Sequence, residues 1–352
     1  MQATIQDVAA KAGVSISTVS RAFTRPEMVS ERTRAKVMRV ADELDFNISR
    51  SAATLKSGRT NRVAMLMNDD ITSWFNASVL AGLESVLHPA GYDIALFQNI
   101  DTARNRQHFF STLPIRRNVD AIFVASFAVD PHEVEQLGRA QVPIIGINSP
   151  DVDGFDASVS IDDEQGMFMA AQHLIKLGHR HLAYVGAEAV LTLHASIDQR
   201  EQGFRRACES ARSEGVELDW QVIGVPRDVS ALAAISSPQT MSMILARLLE
   251  LDPFPDAICC QADMIAIPLM LRLERYGKRT PRDYSIIGFD DSTYADVLGL
   301  TTIRQNPQSM GAAAAHKALR LIAGESLGDD AHETAPASLV PRNTDDTYDT
   351  HA

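Results

Sequence analysis

Two short helices with one apolar face each open the chain. Thr4 is a plausible N-cap of the first helix, with Asp7 in its electropositive first turn. Gly13 ends that helix, because glycine readily takes the left-handed conformation, and Ser15 caps the second helix. The apolar positions recur at helical spacing: Val8, Ala9, Ala12, Val19 and Ala22. This pattern predicts a helix-turn-helix, whose second helix enters the DNA major groove.

A third helix completes this small domain. It is predicted to run from its N-cap, Ser30, to about Leu44. Its inner stripe is Val37, Val40, Ala41 and Leu44. Together the three helices predict an all-α domain over residues 1–46, which is small enough to be only marginally stable alone.

From Val63 onward, short apolar runs alternate with amphipathic helical patterns. The predicted strands are Val63–Met67, Asp93–Phe97, Ala121–Ala125, Ile144–Ile147, Ala183–Val185, Ala257–Cys260 and Ser285–Phe289. The helical patterns between them include Ala77–Leu87, Gly166–Leu177, Gln199–Ala211, Met241–Leu251 and Met264–Tyr276. Alternation of this kind predicts parallel sheets covered on both faces.

The span 61–342 is long for one sheet, so we predict a core of two lobes. The segment 148–162 is rich in Pro, Gly and Asp and marks a crossing between lobes, and we place a return near 290–325. Two open α/β lobes bind ligands at the carboxyl ends of their strands, in the crevice between them.

Two segments lie outside these domains. Residues 47–60 are predicted to be a linker, which is either a flexible tether or a short helix too small to be stable in isolation. Residues 343–352 are polar and acidic and are predicted to be a disordered tail.

Charge is unevenly distributed along the chain. The net charge of −12 by itself argues against nucleic acid as a partner. Through Arg62, however, 11 Lys/Arg stand against 6 Asp/Glu, whereas the remainder has 22 against 39. A basic head on an acidic body confines DNA contact to one end.

Composition narrows the class of protein further. No apolar stretch approaches the roughly 18 residues of a membrane span and no hydrophobic signal core begins the chain, so we expect a cytoplasmic protein. The three cysteines, Cys208, Cys259 and Cys260, show no metal-ligand spacing and are predicted to be structural. His179 and His181 are interpreted as anchoring a strand rather than binding metal, and we expect no cofactor.

The exposed face of the second helix supports the DNA-binding hypothesis. Ile16, Ser17 and Arg21 lie opposite Val19, and no carboxylate occurs between Val8 and Pro26. A small helical subdomain with a polar face would explain the periodicity equally well, but not the missing carboxylates.

The run TIQDVAAKAGVSISTVSRAF, followed by VSERTRAKVMRVADELDF, resembles the amino-terminal domain of LacI/GalR-type bacterial transcription regulators. Later stretches are similar to that family's effector-binding core, which is itself similar to periplasmic sugar-binding proteins. These stretches are LGHRHLA from Leu177, REQGF from Arg200, IIGFDD from Ile286 and TTIRQ from Thr301. The resemblance implies a small helix-turn-helix head and a two-lobed, periplasmic-binding-protein-like α/β core.

The resemblance also implies which head residues contact DNA. Arg21 is long and planar enough to pair with guanine, and Ile16 and Ser17 would read neighbouring bases. Leu55 in the linker would wedge into the minor groove beside its partner's copy. This chain departs from the family in having Ile48 where Pro is common and Ala53 where Arg is common. The full candidate set is Thr4, Ser15, Ile16, Ser17, Thr18, Arg21, Ser30 and Leu55.

Polar residues at strand ends are the candidates for the effector crevice: Ser126, Asn148, Asp151 and Asp290. Trp74 and Phe75 follow the first strand and could cover an apolar sugar face or a base, although Trp74 could equally be a packing residue. By resemblance, Asn76, His194, Ser196 and Arg200 also line the crevice.

Arg200 and Asp290 are expected at the rims of the lobes, gripping ligand hydroxyls from both sides without contributing to core packing. A second departure concerns Ala262-Asp263, where the family often has Asn-Asp. Ala262 cannot supply the amide contact, and Asp263 is predicted to be the N-cap of the following helix.

These features predict a homodimeric repressor that binds a near-palindromic operator under control of a small-molecule effector, with a sugar or sugar derivative as the leading candidate. A purine or nucleoside effector is the alternative. A transport-type solute-binding protein would lack the basic head. An enzyme is disfavoured because GxGxxG, Walker, GxSxG and HExxH motifs are absent.

Overall fold

The computed structural model describes residues 3–24, 26–46, 59–67, 70–98, 103–112, 118–187, 198–225 and 237–348. Two compact units meet between Asn61 and Arg62 and are described separately below. Leu55, His194 and Ser196 lie outside the described residues, as do residues 47–58 of the predicted linker and residues 349–352.

The first unit contains three helices, α1 (Ile5–Ala12), α2 (Ile16–Thr24) and α3 (Glu31–Glu43), with a 3-10 turn at Pro26–Met28. The Thr4 hydroxyl and the Asp7 carboxylate form a reciprocal capping box at the start of α1. Gly13 ends α1 with φ 63°, in the left-handed region where glycine is favoured. The predicted helix-turn-helix and its capping are therefore confirmed.

One apolar cluster holds the head together. The predicted inner residues of all three helices are buried except Leu44, which is partly buried; Ile5, Val14, Phe23, Leu44 and Phe46 pack against the buried set. At the surface, Lys11 and Glu43 pair over 3.0 Å and join α1 to the end of α3. Exposed pairs of this kind contribute about 1 kcal/mol or less, so the cluster supplies most of the stability.

The second unit begins with a parallel sheet in the order β11-β5-β4-β3-β1-β2. Its strands are β1 (Arg62–Met67), β2 (Asp93–Phe97), β3 (Ala121–Ala125), β4 (Ile144–Ile147), β5 (Ala157–Ile161) and β11 (His332–Ala335). Its helices are α4 (Trp74–Leu87), α5 (Ala103–Thr112), α6 (Pro131–Gly138) and α12 (Pro307–Ile322). These elements form the first lobe.

A second sheet, in the order β12-β10-β9-β8-β6-β7, forms the second lobe. Its strands are β6 (His181–Ala187), β7 (Asp219–Val225), β8 (Ala257–Cys260), β9 (Ser285–Asp290), β10 (Thr301–Arg304) and β12 (Ser338–Val340). Its helices are α7 (Asp163–Lys176), α8 (Asp198–Ser213), α9 (Pro238–Leu249), α10 (Asp263–Arg275) and α11 (Thr293–Val297). Only β12 runs antiparallel to its neighbour, β10.

All seven predicted strands are present. The described residues contain five further strands that were not predicted: β5, β7, β10, β11 and β12. The strand β5 lies inside the segment 148–162 that was interpreted as a crossing, and it pairs with β4 in the first sheet. The strands β10, β11 and β12 have four residues or fewer and mix polar with apolar side chains, whereas the four-residue strands β4 and β8 are apolar runs.

Within the described residues, the chain passes between the lobes three times, whereas two crossings were predicted. The first crossing follows Ile161, the second lies between Arg304 and Pro307, and the third lies between Ala335 and Ser338. The prediction missed the third because β11 and β12 are so short.

The prediction of a disordered tail was wrong for residues 343–348. Thr344 is buried, and its hydroxyl accepts from the amide of Thr301 over 2.9 Å and donates to the carbonyl of Ile286 over 2.7 Å. Asp345 contacts His173 over 2.6 Å, and the amide of Tyr348 donates to the carbonyl of Leu177 over 2.8 Å. Polar composition suggested disorder, but these side chains meet buried partners in the second lobe.

Several smaller predictions can be checked in the described residues. Cys208, Cys259 and Cys260 are buried free thiols. His179 is buried 3.3 Å from Asp256, which also accepts from the amide of His181, as expected for a strand anchor. No described helix has the length and hydropathy to cross a membrane. In the same ranges, no group of three or more His, Cys, Asp or Glu residues could hold a metal ion.

Candidate DNA-binding head and effector crevice

The second helix of the head exposes the side chains predicted to read DNA. Val19 and Ala22 are buried, whereas Ile16, Ser17 and Arg21 are exposed on the same helix. Ile16 is 47% exposed, which is unusual for an isoleucine in a domain with so small a core. An apolar side chain and a guanidinium on one solvent face can meet a thymine methyl and guanine acceptors respectively.

Three other predicted DNA-binding residues, Thr4, Ser15 and Ser30, serve as helix caps. The Ser15 hydroxyl accepts from the amide of Thr18 over 3.1 Å and lies 2.8 Å from the Thr18 hydroxyl. Thr4 caps α1, and Ser30 accepts from the amide of Thr33 at the start of α3. Their structural role is therefore established, and contact with phosphate through the capped helix ends remains a prediction.

In the second unit, the centre of the candidate crevice is Arg200, in the first turn of α8. It is 2% exposed and stacks on the Phe289 ring, with its guanidinium carbon 3.6 Å from the ring centroid. It donates to Asp163 over 2.6 Å, to the carbonyl of Gln261 over 2.7 Å and to Asp290 over 3.4 Å. All of these contacts to the guanidinium come from residues of the second lobe.

This geometry corrects the expectation that Arg200 and Asp290 sit at opposite rims. Both belong to the second lobe, and Arg200 is part of its interior. Asp290 ends β9, is 13% exposed, and also accepts from the Gln305 carboxamide over 2.6 Å. The sequence pattern placed Arg200 at a helix start but could not show that buried carboxylates surround it.

Asn148 brings the first lobe into the same cluster. Its side-chain amide donates to Asp163 over 2.9 Å, and its side-chain oxygen accepts from the amide of Ile161 over 3.0 Å. Asp163 is the first residue after the first crossing. The structure therefore brings three predicted residues together, Asn148, Arg200 and Asp290, through a carboxylate that the sequence analysis missed.

Two carboxyl groups in and beside this cluster, those of Asp290 and Asp263, have raised pKa values. Burial raises the pKa of Asp290 to about 7, although the Arg200 guanidinium lowers it. Burial also raises the pKa of Asp263 to about 6, opposed by hydrogen bonds from Thr302 and Ser292. Perturbed carboxyl groups at the edge of a lobe are typical of functional sites.

Asp263 is not the N-cap of its helix. Ala262 holds the N-cap position without a side-chain bond, and α10 begins at Asp263. The Asp263 carboxylate accepts instead from the amide of Ser292 over 2.8 Å and from the Thr302 hydroxyl over 2.6 Å. The prediction was wrong because these partners, on β10 and just after β9, are distant in sequence.

Backbone conformation supports the crevice assignment independently. Ser126, Asn148 and Asp290 each follow or end a strand and have positive φ angles of 67°, 49° and 127°. Side chains other than glycine rarely adopt this region, and such strain concentrates at binding sites. Three predicted crevice residues on three strands share this feature.

The other predicted crevice residues that the structure describes lie in the first lobe. Trp74 and Phe75 are half-buried in the first turn of α4, where Phe75 packs against the core of that lobe. The side-chain amide of Asn76 donates to the backbone carbonyl of Asp70 over 3.0 Å, which connects the preceding loop to α4. Asp151 is exposed and accepts from the amide of Asp153 over 3.0 Å.

Three residues of the cluster were missed: Asp163, Gln261 and Gln305. Asp163 could have been found from the sequence because two consecutive aspartates, Asp162 and Asp163, stand at the start of a helix. Gln305 could have been found because it is the last residue of the TTIRQ stretch, which carries the family resemblance. Gln261 contributes a backbone carbonyl to Arg200 and could not have been found from its side chain.

Comparison with known proteins is consistent with both units. Residues 4–48 match the protein family described as bacterial regulatory proteins, lacI family. Residues 171–344 match the family described as periplasmic binding protein-like domain. An HTH-type transcriptional repressor named PurR from Vibrio campbellii is 30% identical over 347 residues, covering 97% of this chain and 98% of the relative. The chain belongs to the LacI family. It is therefore a DNA-binding transcriptional regulator with a ligand-binding core.

Two further similarities agree with this assignment. The HTH-type transcriptional regulator DegA of Bacillus subtilis is 31% identical over 318 residues, covering 89% of each chain. A crystal structure of a LacI family transcriptional regulator from Enterococcus faecalis with bound ribose is 27% identical, with a TM-score of 0.66. That similarity covers 82% of this chain and all of the other.

Proposed function

We propose that this protein is a homodimeric repressor whose affinity for a near-palindromic operator is set by a small effector held between the two lobes. The observation that carries the proposal is the cluster of Asn148, Asp163, Arg200 and Asp290, which links both lobes at the first crossing. An effector that contacts this cluster would favour one arrangement of the lobes. Acting on an operator, the protein would work in the cytoplasm.

A sugar or sugar derivative is the effector that the chemistry favours. Asp290 offers a partly exposed carboxylate, and the aromatic rings of Trp74 and Phe75 lie in the first lobe. Vicinal hydroxyls and an apolar ring face are the features that such a set recognises. The ribose bound by the Enterococcus faecalis regulator supports this class. A purine or nucleoside is the second candidate, which the relatives named PurR favour.

The proposed dimer has support in the second lobe. Exposed large hydrophobic side chains of this lobe include Leu271 on α10, which is 45% exposed, and Tyr294 and Val297 on α11, which are 67% and 78% exposed. An isologous dimer buries the same patch on both subunits. Two heads related by a two-fold axis would require an operator with the same symmetry.

The experiment is a thermal-shift screen of sugars, sugar phosphates and nucleosides, followed by a gel shift on genomic DNA fragments with each hit. We expect a sugar to raise the melting temperature and to change operator retardation. A nucleoside hit without any sugar hit would replace the sugar proposal with the purine one. If no fragment were retarded, with or without a hit, the operator proposal would be wrong.

A further inference from the structure

The loop of residues 126–130, between β3 and α6, begins with a predicted crevice residue. Ser126 stands at the carboxyl end of β3, is partly exposed, and has a φ angle of 67°. Its amide donates to the carbonyl of Ile147 over 2.9 Å, and Ile147 directly precedes Asn148. A residue in this strained region persists only where the surrounding structure holds it there. The contacts that hold the loop therefore determine the position of Ser126.

A buried ion pair inside the first lobe holds this loop. Arg106 on α5 is 8% exposed and Glu133 on α6 is 7% exposed. The Arg106 guanidinium donates to both carboxylate oxygens of Glu133, over 2.5 Å from Nε, and to the backbone carbonyl of Ala128 over 2.6 Å. The guanidinium carbon also lies 5.4 Å from the centroid of the Phe127 ring. Arg106 thus contacts the two residues that follow Ser126 in the chain.

Glu133 holds the other end of the same loop. The amide of Asp130 donates to the Glu133 carboxylate over 3.0 Å, and the amide of Glu133 donates to the Asp130 carboxylate over 2.8 Å. These two bonds form the capping box that begins α6. One pair of charges therefore holds the loop at Phe127, Ala128 and Asp130.

Stability alone does not account for this pair. Taking two charges out of water costs free energy that can exceed what their attraction returns, and apolar residues of similar volume often stabilise a fold as well or better. An apolar pair, however, would remove the donor from the carbonyl of Ala128 and could not hold the loop at that point. A single conformation of the loop is thus the property that only the charged pair supplies.

We propose that Arg106 and Glu133 are positioning residues for the effector, which hold Ser126 in the conformation that meets the effector and do not contact the effector themselves. The inference rests on the proposed function, because it takes the crevice to be the effector site. The Ser126 hydroxyl can donate to and accept from a ligand hydroxyl. An effector that meets a loop already in its bound conformation does not have to order it, so the pair increases effector affinity.

The test replaces the pair by apolar residues, Arg106→Met together with Glu133→Leu, in the full-length chain. This double variant should melt at or above the temperature of the parent, because such replacements are often neutral or stabilising. The amide of Ser126 should nevertheless exchange its hydrogen with solvent about tenfold faster, the factor that corresponds to about 1.4 kcal/mol. Mass spectrometry with fragmentation of the peptide that contains Ser126 measures this exchange. Arg139→Met together with Glu135→Leu makes the same substitutions at an exposed pair on and just after α6, and this control should exchange like the parent.

Isothermal titration with D-ribose and with adenosine, one probe from each proposed effector class, measures the consequence for binding. For a probe that binds the parent, we expect the double variant to bind about tenfold more weakly and the control to bind like the parent. A loss of affinity without a loss of thermal stability is the result that a purely structural role of the pair would not produce.

Arg106→Lys is measured if the double variant does not fold. It keeps the charge beside Glu133 but lacks the planar fork that reaches Glu133 and Ala128 together, so it should show both losses to a smaller extent. Parental exchange at Ser126 in a folded variant would overturn the proposal, and so would faster exchange with unchanged probe affinity. If neither probe bound the parent, the proposed function would fail for both classes, and the exchange rate at Ser126 would still decide whether the pair holds the loop.

Discussion

The guanidinium of Arg200 donates to the carboxylate of Asp163 over 2.6 Å, joining the first turn of α8 to the first residue of α7. The same carboxylate accepts from Asn148 in the first lobe over 2.9 Å. Arg200 consequently belongs both to the candidate crevice and to the internal support of the first crossing. Removing it should affect stability and ligand response together, contrary to the expectation from the sequence.

Arg200→Ala should destabilise the second unit by about 3–5 kcal/mol, because it leaves Asp163 and Asp290 without their buried cation. Urea unfolding measures this change, and isothermal titration with the screened effector measures the response. Arg206→Ala is the control, since Arg206 is on the same helix but half-exposed, pairing with Glu164 over 2.7 Å. It should cost about 1 kcal/mol or less. Equal losses in the two variants would contradict the buried role of Arg200.

The features that were predicted correctly from the sequence, such as helix caps and tight turns, are formed by residues close together in the chain. The caps at Thr4 and Ser30 and the turn at Gly13 follow from residues within four positions of each other, and all three are present. The seven strands found from sequence are short apolar runs bounded by polar residues. The partners of Arg200 and Thr344 lie 37 or more residues away in sequence, so only the folded chain reveals them.

Arg21→Ala should lower operator affinity while the second unit stays folded and still binds effector. A bidentate arginine–guanine contact contributes about 1–3 kcal/mol of discrimination, so preference for operator over random DNA should fall by roughly 5- to 150-fold. Competition gel shifts with both DNAs measure the ratio. Arg139→Ala removes an exposed arginine from the first lobe, and the preference for operator over random DNA should be unchanged in this variant. A variant at Arg21 with full preference for operator would disprove base readout.

Leu55 lies outside the described residues, and its role as a wedge stays a prediction. Leu55→Ala removes the wedge and leaves phosphate contacts intact, so affinity should fall while the salt dependence of binding changes little. Circular-permutation gel shifts would report the DNA bend angle, which should decrease. If affinity and bend angle both matched the parent, residues 47–60 would be only a tether.

Thr344→Val should destabilise the second unit by about 1–3 kcal/mol, because the buried amide of Thr301 and the carbonyl of Ile286 lose their partner. Thr347→Val is the matched control, since Thr347 is exposed and its hydroxyl contacts only the neighbouring Asp346, over 3.4 Å. Thermal unfolding of both variants measures the difference. If the two variants melted alike, residues 343–348 would contribute nothing to the lobe.

The stability of the second unit should fall as pH rises through neutrality, and Asp290 should be a main cause. Burial raises the pKa of Asp290 to about 7, whereas an aspartate in the unfolded chain titrates near 3.9. Between these values the folded state binds the additional proton, so this contribution is full below about pH 4 and is lost as pH rises through 7.

Urea unfolding at intervals from pH 5 to pH 8 should show the decline, and Asp290→Asn should flatten it. Asp283→Asn is the control, because a hydrogen bond from Arg282 lowers the pKa of Asp283 and keeps it ionised throughout this range. A slope that persists unchanged in Asp290→Asn would show that Asp290 is already ionised in the folded protein and held so by Arg200.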